Sequence, residues 1–174
     1  MLRLSKRPRE ESRIARLRRI GLFSTLNARE LRVVNGLLHE RRYLKGEVVF
    51  DQGEEGQALY IVTNGKVLIC RQGEPETGKI AEVPEGAMFG ELALLDGSPR
   101  AAQARAADDT LLAALSRADF TGLVETQAVI GSKILLQLSR ELAQKLRESN
   151  AAQPGSAQRL LEAGPTPMAR RSGT

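Results

Sequence analysis

Cysteine and histidine occur once each in this chain of 174 residues, as Cys70 and His39, and tryptophan is absent. A single thiol excludes an intramolecular disulfide and suits a reducing cytoplasm. One imidazole and one thiol leave too few ligands for a metal centre and too few groups for a catalytic triad. No nucleophile–base pair is evident either, so an enzyme has the least support. Aromatic residues make up 3% of the chain, sparse for a surface on which bases stack. No apolar run approaches the ~18 residues of a membrane span, and a transmembrane protein is not expected. The charged start, Met1-Leu2-Arg3-Leu4-Ser5-Lys6-Arg7, is followed by no apolar core and is not expected to act as a secretory signal. The remainder is ordinary for a soluble domain: 41% hydrophobic, 27% charged, net charge +5. That length supports one well-buried core and little more.

One stretch carries chemistry, Phe89–Ala106, FGELALLDGSPRAAQARA. Gly90 lets the backbone approach a ligand closely or adopt φ > 0. Glu91–Leu94 has the length and apolarity of one helical turn, whose free N–H groups suit an anion. The Asp96-Gly97-Ser98-Pro99 turn then delivers Arg100, a fork of donors that matches phosphate oxygens. Glu91 makes sense beside an anion if it accepts from a sugar hydroxyl while holding Arg100. The physical reading is a pocket for one phosphate and one ribose.

The Gly-Glu-Leu-Ala start and Pro-Arg-Ala-Ala finish of this stretch resemble the phosphate-binding cassette of the cyclic-nucleotide-binding domain. That domain occurs in catabolite-activator-type regulators, kinase regulatory subunits and gated channels. The resemblance runs from about Leu17 to Ser149. It implies that Arg100 pairs with the exocyclic oxygens of a cyclic phosphate, aided by the backbone N–H groups of Ala93 and Ala101. Glu91 would accept from the ribose 2′-OH, and Gly90, Leu92 and Ala102 would shape the floor. Ile69, Ile80 and Val83 are candidates for the apolar wall at the base. Ser149 and Asn150 fall where polar residues of the last helix meet adenine in catabolite-activator-type proteins. Some cGMP-preferring relatives place Thr or Ser at the position of Ala101, which can offer guanine no hydroxyl; cAMP is favoured over cGMP. A haem or iron–sulfur sensor would need more ligands than Cys70 and His39 supply.

Residues 1–19 form a basic lead-in, expected to be partly helical: Arg3, Lys6, Arg7, Arg9, Arg13, Arg16, Arg18 and Arg19 face only Glu10 and Glu11. This block could touch nucleic acid, an acidic partner or an anionic membrane, or simply be solvated while Ile14, Leu17 and Ile20 dock. Asn27 and Glu30 have capping-box spacing, and Leu31, Val34, Leu37 and Leu38 repeat at helical spacing. His39 would close that helix beside its dipole. Between Arg41 and Ser116 the period becomes that of strands: Glu47–Phe50, Ala58–Val62, Lys66–Cys70, Lys79–Val83, Ala101–Ala106 and Leu111–Leu115. Glycines punctuate them, and Asn64-Gly65 is a hairpin signal. The expected fold is mainly β, a double-stranded, jelly-roll-like β-roll with an N-terminal helical motif and a long C-terminal helix.

Ser116 and Asp119 form a capping box with Asp in place of Glu, opening a short helix through Leu123. Ile130, Ile134, Leu135, Leu138, Leu142 and Leu146 continue at helical spacing to Ser149. That stripe serves either a homodimer or docking on the chain's own roll. Residues 20–149 are therefore expected to form the domain, and 150–174 a flexible tail with a possible short helix at Gln158–Ala163. The tail is too short for a helix-turn-helix, so no sequence-specific DNA reader is expected. The leading expectation is a cytoplasmic cAMP receptor that signals to an unidentified protein partner by helix rearrangement. The alternatives are an interaction module with an unoccupied cassette, or nucleic-acid or membrane-surface binding through the basic segment.

Overall fold

Side-chain caps mark where two of the helices begin. The computed structural model describes residues 7–75 and 77–152. Helix α1 covers Arg7–Leu17, a single 3₁₀ turn follows at Gly21–Phe23, and α2 covers Ala28–Leu37. The Asn27 side chain accepts from the backbone N–H groups of Arg29 and Glu30, while Glu30 accepts from the Asn27 N–H, the reciprocal box its spacing predicts. Later, Ser116 caps α4, Arg117–Thr126, by accepting from the Asp119 N–H. Helix α5 runs from Ala128 to Ala152.

Eight strands lie between. They are β1 (Leu38–Tyr43), β2 (Val48–Phe50), β3 (Ala58–Asn64), β4 (Val67–Cys70), β5 (Lys79–Val83), β6 (Met88–Phe89), β7 (Gln103–Ala106) and β8 (Thr110–Ser116), with helix α3 (Glu91–Asp96) between β6 and β7. They make two antiparallel four-stranded sheets, ordered β1-β8-β3-β6 and β2-β7-β4-β5. The β-roll with flanking helices expected from the strand and glycine pattern is the fold observed.

Side-chain alternation explains its layers. Tyr60 and Val62 of β3 stand opposite Ala114 and Leu112, and face the space between the sheets. There Phe50, Val62, Val67, Val83, Phe89, Ala104 and Leu112 form the inner core. Leu59 and Ile61, opposite Leu115 and Ala113, point the other way and are just as buried. That outer face is therefore covered too. Leu22, Phe23, Leu31, Val34, Phe120, Leu123, Ile130 and Ile134 of the helical segments are buried to match. Each such aliphatic or aromatic side chain contributes roughly 1.5–3 kcal/mol on burial.

Several local expectations need correction. His39 does not close α2: helix gives way at Leu38 to β1, where His39 pairs with Ala114, and its Nε2 lies 3.5 Å from Asp119 Oδ2. Glu40, Arg41 and Arg42 are exposed on this strand, so no apolar alternation marks it. Asn64-Gly65 turns the chain with Gly65 in the left-handed region at φ 82°, but joins no hairpin. Strand β3 belongs to one sheet and β4 to the other. Ala101 and Ala102 form a bend, and β7 starts only at Gln103. The short helix at Ser116 continues past Leu123 to Thr126. The suggested helix at Gln158–Ala163 lies outside the described residues.

The chain divides into two units, Met1–Gln137 and Leu138–Thr174. Within the first, Lys133 of α5 reaches back to the α2 cap, its Nζ 2.7 and 2.9 Å from the two carboxylate oxygens of Glu30. The hydrogen bond from Lys133, then that from Asn27, holds the Glu30 carboxyl below its ordinary range. A depressed carboxylate pKa stabilises the fold above the unfolded value, and that contribution is lost as pH falls through the folded one. Glu30→Gln keeps an acceptor for the cap and removes only the charge. It should lower the melting temperature at neutral pH, and its deficit against the wild type should fade once pH drops below the ordinary carboxylate value of 4.5. Parallel thermal melts across that range measure this. In the second unit α5 remains helical through Ala152, with Leu146 exposed.

Candidate functional site

The cassette is held by its backbone before its side chains act. Ser98 N–H donates to Asp96 Oδ1 at 2.9 Å, tightening the turn after α3. Arg100 N–H then donates to Glu54 O at 2.8 Å, and Gly53 N–H to Arg100 O at 2.9 Å. A bridge between Glu55 and Pro99 adds to this. Arg100 is thus pinned to the turn that links β2 to β3.

From that anchor its side chain runs inward and is only 6% exposed. One guanidinium nitrogen, Nη1, donates to Gly90 O at 3.0 Å; the other, Nη2, donates to Ala58 O at 2.7 Å. The group lies 4.0 Å from the centroid of the Phe50 ring and 5.6 Å from that of Tyr60, a cation–π arrangement. Tyr60 stacks on Phe89 with centroids 5.4 Å apart, and Phe50 packs tilted against both at 5.8 Å. The Nε–H is buried and has no partner. Burial lowers the guanidinium's pKa from its ordinary value, with Tyr60, Glu54 and Glu91 opposing that effect and Arg117 adding to it. Gly90 explains how the group fits. It sits at φ 76°, and a Cβ there would lie 2.5 Å from Arg100 Nη1.

Glu91 opens α3 and is 7% exposed, directly after the glycine whose carbonyl holds Arg100. The structure therefore brings Gly90, Glu91 and Arg100 together. Ile69 and Val83 join them at one remove, since both pack in the cluster that contains Phe50. Ala93 lies in α3; Ala101 is exposed and Ala102 half-buried in the bend after Arg100.

Two predicted positions fall elsewhere. Leu92 is 52% exposed: in a six-residue helix, Glu91 and Leu94 share the inward face at i, i+3, and Leu92 turns away from it. Ile80 is 59% exposed. Val83 and Ala81 stand opposite Val67 and Ile69 of the inner core, so Ile80, one residue from Ala81, faces the other way by strand alternation. Ser149 and Asn150 are exposed on the last turns of α5. Phe50, Tyr60 and the Ala58 carbonyl were not foreseen at the site. They lie some 40 to 50 residues upstream of Arg100, and only strand register brings them there.

Elsewhere, Arg117 of α4 ties the same loops together. Its N–H donates to Gln57 O at 2.8 Å and its guanidinium to Gly56 O, beside Gly97 of the cassette turn. Cys70 is buried, its thiol pushed up by burial, and donates to Gln103 Oε1. Among the described residues, no cluster of His, Cys, Asp and Glu is placed to hold a metal ion.

The site is thus an antiparallel roll with a buried arginine cradled by a left-handed glycine, flanked by helices on both sides in sequence. The family model for the cyclic nucleotide-binding domain matches residues 40–127, and the chain belongs to that family. It is 36% identical over 124 residues to the cyclic AMP receptor protein of Thermus thermophilus, covering 70% of this chain and 56% of that protein. The crystal structure of the Thermus thermophilus catabolite activator protein superposes with a TM-score of 0.67 at 34% identity, over 76% of this chain and 61% of the other. A cAMP-dependent protein kinase regulatory subunit of Dictyostelium discoideum is 36% identical over 115 residues, 65% of this chain and 35% of its own. The chain therefore spans about half the length of the first curated relative and about a third of the second. These relatives are named as receptor and regulatory proteins. No helix among the described residues is long and apolar enough to cross a membrane.

Proposed function

We propose that this chain is a cytoplasmic cyclic-nucleotide receptor that binds cAMP, breaks no bond, and relays occupancy to a protein partner through the helices flanking its roll. One observation carries the reading: a buried guanidinium, oriented by the Gly90 and Ala58 carbonyls, keeps an unpartnered Nε–H. Two neutral acceptors orient the charge without neutralising it. A cyclic phosphodiester supplies one negative charge and two exocyclic oxygens to meet the remaining donors. Charge-assisted bonds of this kind contribute about 1.5–3 kcal/mol each.

Glu91, buried beside Gly90, accepts from the ribose 2′-OH, and the backbone N–H groups of Ala93 and Ala101 help hold the phosphate. Ile69 and Val83 furnish apolar surface for the base. Ala101 offers no hydroxyl to guanine, which supports adenine. The tie between Glu30 and Lys133 supports the relay, because it couples α2 to the start of α5. A shift of those helices draws its energy only from tighter ligand binding to one arrangement than to the other. The apolar strip through Leu142 and Leu146 supports pairing with a second copy.

Isothermal titration of the full chain with cAMP, cGMP, 2′-deoxy-cAMP and a cyclic dinucleotide tests the reading. The expected order places cAMP first, with cGMP weaker and the deoxy analogue weakened by loss of the contact to Glu91. Absence of heat with all four, on protein shown to be folded, overturns it.

A further inference from the structure

Charge is distributed very unevenly along this chain. Residues 1–45 hold thirteen of the 26 Lys and Arg but only four of the 21 Asp and Glu, a net +9 against −4 for the remainder. The described part of that segment, from Arg7 on, forms one lobe made of α1, α2 and β1. Arg16, Arg18, Arg19, Arg41, Arg42 and Lys45 are all exposed there. Four acids offset this charge: Glu10 and Glu11 belong to α1, Glu30 is occupied by Lys133 and by the α2 cap, and Glu40 reaches Arg42 only at 4.0 Å on the surface.

The arginines also converge. Arg13 Nη2 donates to Leu38 O at 3.0 Å and so fastens α1 to the start of β1. Arg16 of α1 and Arg42 of β1 then line one open cavity of about 630 Å³. Two carboxylates share that cavity, but each is engaged by the backbone: Glu47 Oε2 accepts from Leu44 N–H at 2.7 Å, and Asp109 Oδ1 from Lys45 N–H at 3.0 Å. Asn64, at the far end of β3 from Ala58, lines it as well. At about 3.3 Å per residue, the cavity lies roughly 20 Å along that strand from the carbonyl that holds Arg100. It is a different place from the cassette.

We infer that this lobe is a binding surface for the phosphate backbone of double-stranded nucleic acid, engaged without reading sequence. Guanidinium forks suit phosphate oxygens, and a dense positive face gains affinity by displacing counterions. Insertion into a lipid surface requires an amphipathic helix with a free apolar face. In α1 and the turn after it, Leu17 and Ile20 are buried and Ile14 is half-buried, so that face is spent on the fold. Single-stranded binding needs stacking platforms. The lobe's aromatics, Phe23 and Tyr43, are buried and half-buried.

The test uses fluorescence anisotropy of the full chain with two labelled 20-base-pair duplexes of unrelated sequence. Both should bind equally. With about four phosphates engaged, affinity should fall about a hundredfold between 50 and 200 mM salt. Arg16→Gln with Arg42→Gln should weaken binding and reduce the slope of log affinity against log salt by about two, as should Arg18→Gln with Arg19→Gln. Arg71→Gln, exposed on the roll outside the lobe, should change nothing. Thermal melts confirm that each variant is folded, independently of any cyclic nucleotide. No duplex binding at 50 mM salt overturns the inference. So does binding insensitive to the lobe variants, a preference for the single strand, or binding to phosphatidylserine vesicles in place of duplex.

Discussion

Arg100→Ala is expected to weaken cAMP binding by at least tenfold, the larger effect falling on affinity and the smaller on stability. Two carbonyls hold the wild-type guanidinium in place, and on the proposed reading its charge and remaining N–H donors go to the ligand. Alanine removes all of these together. It also leaves Gly90 O and Ala58 O without that donor, a cost of about 1–3 kcal/mol for each one left buried and unsatisfied. Against that stands relief, because a buried cation with neutral acceptors is itself expensive. The net change in melting temperature should therefore be modest. Arg100→Lys sharpens the test. Lysine keeps the charge but presents a compact ammonium in place of a planar fork, so it cannot reach both carbonyls and still face a phosphate with two donors. It should bind closer to alanine than to the wild type. Titration calorimetry on both variants, with melts alongside, measures the two quantities separately. A lysine variant with wild-type affinity would show that charge alone suffices and that the carbonyl cradle is incidental.

How much of this was legible in sequence depended on the range of the interaction. Local chemistry was readable: Asn27 with Glu30 and Ser116 with Asp119 cap the helices their spacing predicts, since cap and partner lie three residues apart. The cassette was readable for the same reason, with Gly90, Glu91 and Arg100 within eleven residues of one another. Strand β1 was not, because its exposed Glu40, Arg41 and Arg42 carry no period-2 apolar signal. Ile80 and Val83 lie three residues apart on one strand, so alternation alone puts them on opposite faces and they share no wall. The sheet change at Asn64-Gly65 eluded turn chemistry, since the same left-handed glycine serves a hairpin or a crossover. The setting of Arg100 on Phe50, with Tyr60 nearby, was the largest omission. It depends on β2, β3 and the cassette meeting across the roll, and no spacing within any one of them encodes that.

Gly90→Ala should separate the fold from the site more sharply still. At φ 76° an alanine meets the left-handed penalty of about 1–2 kcal/mol. That lowers the melting temperature by only a few degrees per kcal/mol in a domain of this size. The local consequence is larger. The new Cβ would sit 2.5 Å from Arg100 Nη1, so the guanidinium must leave the Gly90 carbonyl. Displaced, it no longer presents its remaining donors where Glu91 and the cassette backbone converge. Cyclic AMP affinity should then fall about as far as in Arg100→Ala, although the arginine is still present. Gly73→Ala provides the comparison, because Gly73 has a similar φ of 78° but nothing within 4 Å of the added carbon. It should show the same loss of melting temperature and wild-type binding. If both alanines lower stability alike yet both leave affinity intact, the close approach of Gly90 to Arg100 has no part in recognition. If only Gly90→Ala loses affinity, the glycine is required because it leaves room for the guanidinium.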